Sequence, residues 1–117
     1  MLSDDTFALR EAWQEDTRLA KLAVTEASKR CEEYAKAEAA YYAAKTSKAM
    51  EMKAMGEPVT YIQTVIKGVE GVSDKLFEYT LAEGKYKAAV KAIDVYRDAE
   101  RMSYDEYKRS MQGDRYD

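Results

Sequence analysis

The side chains able to do chemistry are few and unevenly chosen. The 117-residue chain has no His and a single Cys, Cys31. Without His there is no imidazole base and no His-ligated metal, and a bundle-core Glu-x-x-His metal site is excluded. One Cys excludes an intramolecular disulfide and any Cys cluster for zinc or iron–sulfur. Carboxylates are plentiful, 22 Asp and Glu against 19 Lys and Arg. They alternate with cations at helical spacings: Glu26–Arg30 and Glu32–Lys36 attract, and Glu11–Glu15 repel. That patterning belongs to a solvated helix face. Cys31 falls beside an apolar seam, where it reads as a small buried residue and not as a nucleophile. Gly68-Val-Glu-Gly71 lacks the Lys and the spacing of a phosphate loop. These residue types point to no catalytic residue, no metal and no cofactor, so the expectation is a protein that is not an enzyme.

The charge layout says more. Net charge is only −3, so bulk attraction does not make the chain a polyanion binder. From Ala39 to Met50 the only charges are Lys45 and Lys48, with Lys53 soon after. Lys85, Lys87 and Lys91 lie opposite in a hairpin. Tyr41, Tyr42 and Tyr86 sit among these lysines. Cations interleaved with aromatics suit single-stranded nucleic acid, through phosphate contact and base stacking. The candidate nucleic-acid residues are therefore Lys45, Lys48, Lys85, Lys87, Lys91 and Tyr42. The chain ends are acidic, and Asp94, Asp98 and Glu100 are candidates for contact with a protein. So is a β-branched and apolar stretch near mid-chain, above all Tyr61, Ile62, Val65 and Ile66, which solvation alone does not explain.

Elements that would hold these groups can be read from helix makers and breakers. No Gly or Pro precedes Gly56, and Ala, Glu, Lys, Leu and Met dominate that half. The expectation is one helix over 4–55, capped by Ser3 or Asp4 and stopped by Gly56-Glu-Pro58. Residues 56–72 form a connector. Thr60 and Gln63 have capping-box spacing, which predicts a short helix over 61–67 closed by Gly68. A second long helix covers 73–102. Ser103 and Glu106 again have capping-box spacing, so 104–112 is either a separate short helix or part of a continuing one. Residues 113–117 are expected to fray.

Steps of seven along the first helix align Ala20, Ala27, Tyr34 and Tyr41, with Val24 and Cys31 beside them. On the second they align Tyr79, Tyr86 and Ile93, with Ala82, Ala89, Val90 and Tyr96 alongside. The ten Tyr and eighteen Ala thus make a 3.5-type seam. The fold class expected is all-α, a single domain built as a long antiparallel coiled-coil-like hairpin. Symmetric pairing about the connector would set Tyr41 near Tyr86 and Tyr34 near Ile93. Phe7, Leu9, Trp13, Leu19, Leu22, Leu76, Phe77 and Leu81 do not all fit one seam. A homo-oligomer, in which they bury against another copy, is expected. No apolar run of signal or membrane-spanning length occurs, so a cytoplasmic protein, with no membrane partner, is expected.

The Ala/Glu/Tyr-rich first helix, the Met52-Lys-Ala-Met-Gly-Glu-Pro-Val-Thr-Tyr-Ile62 turn and the Tyr86-Lys-Ala-Ala-Val-Lys-Ala-Ile93 run resemble small phage accessory proteins of Gram-positive hosts. The resemblance implies a role beside DNA recombination or replication in a bacterial host, and implies no catalytic residue. Joined to the residues above, it suggests a self-associating accessory protein that contacts single-stranded DNA or a recombination protein. The alternatives are a phage inhibitor of a host nuclease, of anti-restriction or anti-CRISPR type, and an assembly or scaffolding hairpin.

Overall fold

The computed structural model describes residues 2–116. The described residues form three α-helices and one 3-10 turn: α1 (Asp4–Ala54), α2 (Val59–Val65), the 3-10 turn Ile66–Gly68, and α3 (Glu70–Tyr116). No strand occurs among the described residues. α1 and α3 pack against each other as a helical hairpin joined by the short connector. None of the described helices is long and apolar enough to cross a membrane.

Each end of α1 has a local chemical cause. Ser3 is its N-cap: Ser3 Oγ accepts from the Thr6 backbone N–H at 3.2 Å, and Asp4 and Asp5 lie in the positively polarised first turn. At the other end Gly56 takes φ +89°. Gly56 N–H donates to Lys53 C=O at 3.0 Å and Glu57 N–H to Met52 C=O at 3.1 Å. This pair of bonds is a Schellman closure, and its left-handed residue is the one that Gly tolerates without strain.

Two capping boxes expected from spacing are not used. Pro58 is the N-cap of α2, with no side-chain bond, so α2 starts at Val59 and not at Tyr61. Thr60 contributes its backbone C=O to the Thr64 hydroxyl instead. At Ser103 the hydroxyl is taken by Asp16 on the other helix. α3 therefore runs through Ser103 without interruption, and no separate helix begins at residue 104. It also continues to Tyr116, where fraying was expected from residue 113. Asp117 lies outside the described residues.

The chain divides into two compact units. Met1–Ser28 with Ala88–Asp117 form a terminal unit, and Lys29–Lys87 form a connector unit. In the terminal unit the contact line is Ala20, Ala23 and Ala27, all buried, with half-buried Trp13 set against Tyr104 and Tyr107 at 5.2 and 5.6 Å between ring centres. Ala lets backbones approach closely, and the Trp13 ring packs against both Tyr of α3. A polar knot closes the chain-terminal end of this unit. Thr6 is fully buried, and its hydroxyl shares hydrogen bonds with Ser110 at 2.5 Å and Ser3 at 2.9 Å. Ser3 donates from both its backbone N–H and its hydroxyl to Asp114, each at 3.0 Å. The Thr6 hydroxyl and the Ser3 N–H hold the Asp114 carboxyl below its usual range.

The connector unit is built on tyrosine. Tyr34 contacts Tyr79 and Tyr86, and Tyr41 stacks on Tyr79 at 5.6 Å and 24°. The register differs by one heptad from symmetric pairing about the connector: Tyr41 meets Tyr79 and not Tyr86, and Tyr34 meets Tyr86 and not Ile93. Symmetric pairing treats the connector as a tip. In fact α3 starts early, at Glu70, and α2 turns back beside α1, so less chain separates the two long helices. The second contact line also differs. It runs through Ala23, Arg30, Ala37 and Ala44, three residues on from the first line, while Val24 and Cys31 are exposed. The buried-cysteine reading is thus corrected.

Tyr79 gives this unit a pH dependence. Its hydroxyl donates to Glu38 Oε2 at 3.4 Å. The Tyr34 hydroxyl, burial and the Glu38 charge, in that order, push its pKa well above the ordinary value of 10.0. A pKa raised by folding adds stability that is full below the unfolded value and is lost as pH climbs through the folded one. The connector unit is therefore expected to loosen in alkali above about pH 10. Helical circular dichroism along a pH titration reads this, and Tyr79→Phe should move the alkaline midpoint upward. An unmoved midpoint would trace the loss to another group.

Candidate functional site: the groove between α1 and α2

One face of α1 carries Tyr42, Lys45, Thr46, Ala49, Met50 and Lys53, which recur at three- and four-residue steps. α2 lies along this face because its Ile62 and, in the following 3-10 turn, Ile66 pack with Tyr41 and Val72 into a buried cluster. Ile62 and Ile66 were among the candidates for contact with a protein. They are buried, at 6% and 3% exposure; Ile66 lies in the core, and Ile62 keeps only a small part of its surface at the floor of the groove between α1 and α2. Val65 is half-buried, and Tyr61 remains exposed on α2.

Docking of α2 leaves a groove of about 440 Å³ beside this cluster, lined mainly by apolar atoms of Tyr42, Ala49, Met50, Val59 and Ile62. Lys45, Lys53 and Gln63 stand at its edge. Tyr42 is 50% exposed, and Met50 and Val59 are more so. No carboxylate is among the lining residues. Lys45 lies over the Tyr41 ring, its ammonium 5.9 Å from the ring centre, and neither Lys45 nor Lys53 has an ion-pair partner among the described residues. In a chain of net charge −3, such a corner favours anionic, partly apolar ligands.

The other lysines proposed for nucleic acid stand differently. Lys48 pairs with Glu51 at 3.2 Å and Lys87 with Glu83 at 2.6 Å. The Glu83 carboxylate accordingly raises the Lys87 pKa. Lys85 is exposed in the connector unit, and Lys91 is exposed in the terminal unit. Of the residues proposed from sequence, Tyr42, Lys45 and Ile62 line the groove. The acidic candidates belong to the terminal unit: Asp94 is exposed, Asp98 pairs with Arg101 at 2.9 Å, and Glu100 is half-buried.

Among the other lining residues, Lys53 was legible as the next cation of the basic run and Val59 and Gln63 as part of the mid-chain stretch, while Met50 carried no signal. The spacing of Tyr42, Lys45, Ala49 and Lys53 already puts them on one helix face. What spacing could not show is that α2 supplies the opposite wall. No family model matches the chain, nor does any curated protein or solved structure.

Proposed function

We propose that this chain is a non-enzymatic accessory protein that works by protein–protein docking, with the α1–α2 groove of the connector unit as its receptor. The observation that carries this reading is an apolar groove edged by Lys45 and Lys53 with no carboxylate in its lining. Apolar walls suit one or two large side chains, and the lysines add selection for an acidic flank. A single-stranded DNA path draws less support. Two of its five lysines, Lys48 and Lys87, are already compensated by neighbouring glutamates. The resemblance to phage accessory proteins suggests DNA recombination or replication as the setting.

A labelled acidic helical peptide with Phe and Leu one turn apart tests the reading by fluorescence anisotropy. Binding is expected. It should weaken about tenfold in the Lys45→Glu/Lys53→Glu variant, because two attractive charges become repulsive. It should also weaken when the peptide's Phe is replaced by Ala. Failure of the peptide to bind, together with tight salt-sensitive binding of a single-stranded oligonucleotide, would replace docking with nucleic-acid recognition.

A further inference from the structure

The same unit carries a surface that matches the groove in shape class and charge. On α3, Phe77 is 69% exposed and Leu81 is 48% exposed. They are four residues apart and so form one ridge on the helix. Each has a carboxylate three residues before it, Asp74 before Phe77 and Glu78 before Leu81, and both carboxylates are exposed. Phe77 is more exposed than Phe7, Tyr42 or Tyr61. Its exposure shows that the groove of its own chain does not hold it.

We propose that the groove's occupant is a second copy of this chain: the Phe77–Leu81 ridge of one molecule seats in the Tyr42–Met50–Val59–Ile62 groove of the next, with Asp74 and Glu78 facing Lys45 and Lys53. The inference rests on the docking reading above and names the partner. Two anchors one turn apart on a helix are the form in which an apolar groove takes a helix. The ridge belongs to a helix that is already folded, so binding orders little new chain. Exposed apolar anchors are matched to apolar walls. Asp74, and Glu78, which its own helix already pairs with Lys75 at 3.3 Å, are matched to two lysines with no ion-pair partner among the described residues. Groove and ridge are different surfaces, so the contact is heterologous. It closes into a ring if the rotation allows and otherwise extends from copy to copy.

Sedimentation velocity and light scattering over a range of concentrations test this on the full chain. The wild type should show a mass that rises with concentration. Phe77→Ala, Lys45→Glu/Lys53→Glu and Asp74→Lys/Glu78→Lys should each weaken association about tenfold. All these positions are exposed or half-buried, so helical circular dichroism should stay unchanged. Mixing the two charge-reversed variants restores complementary signs at both contacts between unlike copies, and association should return in the mixture alone. A chain that stays monomeric at all concentrations, or association that is indifferent to Phe77→Ala or to the groove reversal, overturns the proposal. A monomer that still binds the acidic peptide loses this inference and keeps the docking reading. A chain that neither binds the peptide nor associates loses both.

Discussion

Tyr41→Ala is expected to destabilise the connector unit by about 3 kcal/mol, the cost typical of truncating a large buried aromatic. Tyr41 is 3% exposed. Its ring stacks on Tyr79 and touches the Ile62, Ile66 and Val72 cluster, so truncation opens a cavity where all three helices meet. Repacking can refill it only in part, because Ile62, Ile66, Val69 and Val72 are β-branched with few alternative rotamers, although Met52 and Leu76 beside them can adjust. Urea unfolding followed by circular dichroism measures the loss, and native-state hydrogen exchange assigns it to the connector unit. Tyr42→Ala is the contrast. Tyr42 is half exposed, so its loss should cost under about 1 kcal/mol while weakening peptide binding at the groove. A Tyr41→Ala protein as stable as the Tyr42→Ala protein would mean that the tyrosine stack does not hold this unit together.

Ile66→Asp is expected to undock α2 from the two long helices. It removes a side chain that is 3% exposed and places a carboxylate among Tyr41, Ile62 and Val72. Lost burial alone costs about 2–5 kcal/mol, and an unpaired buried charge adds to it. The connector can escape that penalty by leaving the core, because α2 is only seven residues long and has no stability of its own. Trypsin cleavage at Lys67 should accelerate sharply, and the groove should lose peptide binding because one wall has gone. Val59→Asp, at an exposed wall position, should leave proteolysis unchanged and reduce peptide binding. Equal protease resistance in Ile66→Asp and wild type would show that α2 is not anchored by Ile66.

The two variants separate what was legible from what was not. The heptad line through Ala20, Ala27, Tyr34 and Tyr41 is visible in sequence, because a helix converts spacing directly into a face. The hairpin follows from the Gly56–Pro58 stop between two long breaker-poor segments. The partner line is less legible. Residues three and four positions on from the seam are both near it, and Cys31 and Val24 compete with Arg30 and Ala23 for the same side. Packing chose the latter, leaving a thiol exposed and an arginine half-buried. Capping boxes at Thr60 and Ser103 failed for a related reason. A hydroxyl with capping spacing is free to bond elsewhere, and Ser103 found Asp16.

The groove shows the same limit. Lys45 and Tyr42 were legible as a basic, aromatic face of α1, and the apolar character of Val59–Ile66 was legible as something needing cover. Their juxtaposition was not, since it depends on the angle at which the chain leaves the Gly56 turn. By itself the sequence determined the helices, their main seam and the lack of His and of a second Cys, because each of those is a property of residue type or of spacing within one helix. The tertiary structure alone decided the one-heptad register, the burial of Ile62 and Ile66, and the pairing of Lys45 and Lys53 with an apolar wall. Those depend on contacts between segments distant in sequence, where many registers satisfy the same local pattern and only close packing selects one.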